Sequence, residues 1–256
     1  MLVAIPIGDT HVPFTRPIMN MIIIAVNVIV FIISVVAPWL LGANSFDSVI
    51  LSYGLIPILV VNGHELYRLV THMFLHGGLD HILGNMLFLY IFGDNVEAAM
   101  GPLRYLAFYL ISGLIAAGFH ILSIALMPPQ ALLNYRAFAG VDPWLVPAIG
   151  ASGAISAVLG AYLILYPRSV VNALVFWFLL PVAISIPAWI FIASWFLYQL
   201  MMGLVSLTGG VPTGVAFWAH IGGFLAGIAL TPIFVDKRRV RAYRYLMAQR
   251  LLDYYY

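Results

Sequence analysis

The chain has 256 residues, 64% of them hydrophobic and only 8% charged, with a formal net charge of +2 and a mean hydropathy of +1.06. A soluble domain carries about 25% charged residues, so this chain lacks the polar side chains to cover a water-facing surface, and a soluble enzyme is excluded. The absence of cysteine likewise excludes disulfides, thiol catalysis and cysteine-based metal sites.

The first stretch, MLVAIPIGDTHVPFTRP, lacks the basic start and cleavage site of a secretory signal, and residues 1–16 read as a short tail. A membrane span needs about 20 mostly apolar residues. Six candidates follow, at residues 17–41, 79–100, 103–126, 152–166, 184–205 and 215–235. The fourth is short, as suits a helix entered from inside the protein. Residues 170–182 are apolar but contain Pro181, which leaves the start of the fifth span open.

The connections are unequal. Residues 42–78 are long and mixed, with amphipathic pieces such as HELYRLVTHMFLH, and read as partly buried in the membrane interface. Residues 128–147 form a second long loop. Residues 206–214, SLTGGVPTG, are rich in glycine and are expected to be mobile, with Met201 and Met202 nearby as adaptable packing. The expected fold is all-α: a polytopic membrane bundle of six transmembrane helices over residues 17–235, followed by a basic tail over residues 236–256. No internal repeat is visible.

Orientation follows from the excess of lysine and arginine on the cytoplasmic side. With six spans, both tails share a side with Arg16, Arg104 and Arg168; that side holds nine of the eleven basic residues, and the opposite side holds only Arg68 and Arg136. Both termini are therefore expected to be cytoplasmic, in the plasma membrane of a prokaryote, with the two long loops facing out. The tail DKRRVRAYRYLMAQR reads first as a stop-transfer flank and second as a contact for anionic lipid.

Polar and ionisable residues within spans are costly and point to function. Three groups qualify. Gly150-Ala151-Ser152-Gly153 follows Pro147 and opens an apolar helix, where unpaired backbone N–H groups can hold a developing oxyanion beside the serine oxygen. Ala219-His220-Ile221-Gly222-Gly223 places an imidazole inside the last span, and neutral imidazole is the usual base for a serine hydroxyl. His81 and Asn85, four apart on one helix face, can both donate to an oxyanion.

Taken singly, each group is better explained by structure. Ser152 would be an N-cap residue in a small-residue seam with Ser156 and Gly160, His220 a hydrogen-bonded core histidine, and His81–Asn85 a polar bridge between helices. Gly223 and Gly227 lie near the His220 face at a spacing suited to a close helix neighbour. His76 falls in the turn before the second span, Asp80 in its first turn, and Arg68 and His72 read as anchors of the outer loop. Together the three groups supply a nucleophile, a base and oxyanion donors. Asp94 and Glu97 lie too far toward the cytoplasmic end to orient the base, so a two-residue Ser–His pair is the simplest arrangement.

The segments YRLVTHMFLHGGLDHILGNMLFLYIFGDNVE, GASGAISAVLGAYLILYPR and WAHIGGFLAGIAL, in that order, resemble the rhomboid proteases. The resemblance covers roughly residues 42–230. It implies a six-helix bundle with a water-filled site open to the outside, and cleavage of transmembrane segments of other proteins without a cofactor. It implies Ser152 as nucleophile, His220 as base, and His81 and Asn85 with the Ser152 backbone N–H as the oxyanion hole. Gly150, Gly153 and His76 would be supporting residues, and Tyr67-Arg68 stands where the family has Trp-Arg. One departure is Ser156, where some members carry an aromatic ring that stacks on the catalytic histidine.

The partners expected are transmembrane protein substrates and membrane lipid, with no nucleic acid. Three other readings compete. A zinc intramembrane protease would carry H-E-x-x-H, which is absent from the sequence. A transporter would show paired halves and intramembrane charge pairs. A non-catalytic relative would bind transmembrane helices and would typically lack the serine or the histidine.

Overall fold

A computed structural model describes residues 4–10, 13, 15–177, 180–208, 214–242 and 245. Most of the glycine-rich loop at 206–214, and the tail beyond Tyr245 together with Arg244, lie outside the described residues.

The chain begins with strand β1 (Ala4–Asp9) and helix α1 (Ile18–Val36). The first long loop carries α2 (Phe46–Tyr53), α3 (Pro57–Val61) and α4 (Arg68–Thr71). Two long helices follow, α5 (Leu79–Met100) and α6 (Pro102–Ala125), then α7 (Pro129–Ala139) in the second long loop and α8 (Ser152–Leu165). Strands β2 (Val170–Trp177) and β3 (Leu180–Pro187) precede α9 (Ala188–Ser206) and α10 (Phe217–Phe234). The chain is mostly helical, and α1, α6, α9 and α10 are long and apolar enough to cross a membrane. Helix α8 is apolar but shorter, and α5 carries Asp80, Asp94 and Glu97 along its length.

The all-α expectation is corrected by an antiparallel sheet in the order β1-β2-β3. Pairing in the β2–β3 hairpin runs from Val170↔Pro187 to Trp177↔Leu180. The sequence VVNALVFW is rich in residues that fit a pleated surface. Pro181 and Pro187 oppose helix on the return strand, and β3 is an edge, where proline is tolerated. The fifth long helix therefore begins at Ala188, not at residue 184. Residues 4–9 add the third strand. Asp9 fastens the sheet to the bundle: its carboxylate accepts hydrogen bonds from the Tyr162 hydroxyl on α8 and, at 3.1 Å, from Asn95 Nδ2 on α5.

A buried acidic side chain, Glu97, ties the first helix in place. Pro17 offers no side-chain cap to α1. Glu97 on α5 accepts from the backbone N–H of Met19 (3.1 Å) and Asn20 (2.7 Å), so its carboxyl oxygens serve the unpaired donors at the start of the helix. Asn20 donates to the Leu89 carbonyl (2.9 Å) and accepts from the Tyr105 hydroxyl (2.8 Å), joining α1, α5 and α6.

Helix α8 is the central element; every residue from Gly153 to Tyr162 is buried. Its small side chains let α10 approach backbone to backbone. A Cβ on Gly223 would stand 1.9 Å from the Gly153 carbonyl oxygen, one on Gly227 2.2 Å from that of Ala157, and one on Gly160 2.5 Å from that of Phe224. Association of helices in lipid depends on this kind of close approach, because apolar burial gives no net gain there. The seam places the N-terminal end of α8 beside the histidine of α10.

Candidate active site

The turn into α8 is held from the outer loop. Arg68, only 4% exposed, donates from Nη1 to the carbonyls of Leu51 and Gly54, each at 2.7 Å, and from Nε to Glu65 at 2.6 Å. That hydrogen bond holds the Glu65 carboxyl below the ordinary carboxylate value. His72 Nδ1 lies 2.8 Å from the Arg68 carbonyl, and the His72 carbonyl in turn accepts from the Gly150 N–H at 2.9 Å. Backbone pairing of Leu55 with Ala148, 2.9 Å in both directions, fixes the approach. Gly150 has φ +124°, a conformation that favours glycine.

Ser152 is the first residue of α8, and its Oγ lies 2.7 Å from His220 Nε2. Both residues are partly exposed. The other ring nitrogen, Nδ1, lies 2.8 Å from Gln199 Oε1 on α9, and the Trp195 ring lies against the same imidazole at 6.1 Å, tilted by 34°. A Cβ on Gly150 would meet His81 Nε2 at 2.8 Å and Ser152 Oγ at 3.5 Å, so these two groups border one point and leave no room for a side chain between them.

Asn85 is one turn farther along α5, and its Nδ2 is a buried donor with no partner among the described residues. His76 packs edge-on against His81 with centroids 5.0 Å apart; it is 2% exposed, and neither of its nitrogens has a hydrogen-bond partner among the described residues. A Cβ on Gly153 would be 2.7 Å from Ala116 Cβ, so this glycine serves packing. Ser156 donates to the Ser152 carbonyl at 2.6 Å, and the ring beside His220 comes from α9. A cavity of about 20 Å³, room for one water, borders Ser152 and is lined in part by His72 and His120.

A hydroxyl hydrogen-bonded to an imidazole at a helix N-terminus, with the unpaired Asn85 amide donor nearby, is an arrangement able to make and stabilise an acyl adduct. A family model described as Rhomboid domain matches residues 63–237, a span that contains every residue of this cluster. The chain belongs to the rhomboid family.

Three relatives show how far the likeness extends. RHOMBOID-like protein 1 of Arabidopsis thaliana is 33% identical over 182 residues, which is 70% of this chain and 37% of that protein. RHOMBOID-like protein 12, mitochondrial, from the same plant is 34% identical over 105 residues, 41% of this chain and 31% of that protein. Rhomboid protease AarA of Providencia stuartii is 28% identical over 176 residues, 66% of this chain and 56% of that protein. This rhomboid-family chain thus aligns with between 31% and 56% of the length of these relatives. Names in the family include both protease and inactive members.

Sequence reading passed over three residues at the site: Gln199, Trp195 and His120. A signal for the first was present, since Gln199 is a polar residue within an apolar run, and Trp195 lies one turn before it on the same helix face.

Proposed function

We propose that this rhomboid-family chain is an intramembrane serine endopeptidase that cleaves transmembrane segments of other membrane proteins. The observation that carries the reading is the 2.7 Å separation of Ser152 Oγ and His220 Nε2, on helices from distant parts of the sequence. His220 takes the Ser152 proton as the hydroxyl attacks a peptide carbonyl. Donors from His81, Asn85 Nδ2 and the Ser152 backbone N–H hold the oxyanion. His220 then protonates the leaving amine, and water resolves the acyl-enzyme. Substrate segments with small or helix-breaking residues are favoured, because exposing their backbone costs less.

In this reading α5 and α8 join the four long apolar helices to make six spans, residues 17–235 form the membrane domain, and residues 1–16 and 236–256 face the cytoplasm of a prokaryotic cell. The distribution of basic residues supports that orientation. The polar residues of α5 support its place within the bundle, where they meet protein and not lipid.

The test is activity-based labelling of the membrane-embedded protein. A fluorophosphonate is expected to label wild type at Ser152 and to leave Ser152→Ala unlabelled. A tagged single-span membrane protein is expected to be cut only by wild type. Cleavage by Ser152→Ala would overturn the nucleophile, and an unlabelled, inert wild type would favour a helix-binding, non-catalytic relative.

A further inference from the structure

We infer that Gln199 is a positioning residue for the base, supplying through α9 the third member of a Ser152–His220–Gln199 hydrogen-bonded chain. The inference rests on the protease reading and deepens it. For Nε2 of His220 to accept the Ser152 proton, the ring must carry its own proton on Nδ1, and that N–H needs an acceptor inside the membrane domain. Gln199 Oε1 lies 2.8 Å from Nδ1 and is the hydrogen-bond partner of that atom among the described residues. Gln199 is 5% exposed, so bulk water does not compete for its amide. A neutral amide oxygen selects the Nδ1–H tautomer and fixes the ring plane, and it still accepts from the imidazolium formed during attack.

The neighbouring residues explain why this helix takes the role. Ser156 is committed to the Ser152 carbonyl, and a Cβ on Gly223 would already lie 3.3 Å from Ser156 Cβ. Position 156 thus carries a short hydroxyl and no ring to stack on the imidazole. Orientation of His220 is therefore supplied from the opposite side, by the i and i+4 pair Trp195 and Gln199. Helix α9 is also less buried than α6 and α10, with 28% of its apolar window inside the protein against 44% for each of those two. Both residues that meet the far side of the imidazole thus come from α9.

The experiment compares wild type, Gln199→Met and Gln199→Glu in detergent micelles. Methionine keeps the side-chain volume and removes the amide acceptor; glutamate keeps an oxygen acceptor at the same reach. Gln199→Met is expected to lower kcat about 10- to 100-fold, less than the whole contribution of a general base. Its rate of fluorophosphonate labelling at Ser152 falls in parallel, while KM and the thermal midpoint stay near wild type. Gln199→Glu is expected to recover both rates to within a few-fold. Gln199→Met at the wild-type rate, or Gln199→Glu as slow as Gln199→Met, would overturn the positioning role while leaving the protease reading intact. A wild type that neither labels nor cleaves would overturn both.

Discussion

Gly153 on α8 and Gly223 on α10 meet so closely that a Cβ on Gly223 would stand 1.9 Å from the Gly153 carbonyl oxygen. The contact lies beside Ser152 and one helical turn from His220, so the distance between hydroxyl and imidazole is set by the absence of side chains at this crossing. Gly223→Ala should force the helices apart. A displacement near 1 Å costs about 10²-fold in rate, so cleavage should fall at least that far, with a lower thermal midpoint. Gly118→Ala on α6, where a Cβ would meet nothing within 4 Å, should leave activity unchanged and match or slightly exceed wild-type stability. A cleavage assay with parallel thermal unfolding separates the two.

Asn85→Ala tests whether a resting donor is held for the reaction. Asn85 Nδ2 has no partner among the described residues, so its removal breaks no hydrogen bond of the ground state. Loss of one oxyanion donor costs about 10²–10³ in kcat. The expected result is a drop of that size with KM and thermal midpoint little changed. A fall in stability with activity retained would instead mark Asn85 as a bridge between helices.

Arg68→Met should loosen the outer loop. The substitution strips the Leu51 and Gly54 carbonyls of a buried donor. The buried Gly54 carbonyl left unpaired costs about 1–3 kcal/mol, and the part-buried Leu51 carbonyl less. The chain from Arg68 through His72 to Gly150 then carries the disturbance to the turn before Ser152. A lower thermal midpoint, faster proteolysis within residues 42–78 and slower cleavage are expected together. Glu65→Gln should do far less, because the Glu65 side chain is 41% exposed.

Asp9 gives the fold a pH dependence remote from the site. Burial raises its carboxyl from 3.8 to about 6, against the opposing hydrogen bond from Tyr162. The folded protein therefore holds this proton more tightly than the unfolded chain, and the stability that goes with it is complete below about pH 4 and is lost as pH rises through 6. Asp9→Asn keeps an acceptor for Tyr162 and Asn95 but removes the titration. Its thermal midpoint should gain on wild type between pH 4 and 6 and run parallel above that range. A constant difference across the range would discard the assignment.

Much of the membrane bundle was legible because lipid leaves so few options. Long uncharged runs must satisfy their backbone internally, and the 3.6-residue period that does so leaves a hydropathy signature. The sheet was not legible, since an apolar run such as VVNALVFW suits a buried strand as well as the start of a span, and its strand partner at residues 4–9 lies more than 160 residues away.

The linear order of residues by itself determined the class of protein, the positions of the long helices, and the three polar groups worth watching. Composition and spacing are properties of one chain segment at a time, and these features need nothing more. The tertiary structure decided which groups meet: Ser152 with His220, Gly150 against His81, and Gln199 on the far side of the imidazole. Those distances depend on how four helices cross, and the α8–α10 crossing is set by side chains absent at Gly153, Gly223 and Gly227, whose effect appears only when the partner backbone is in place.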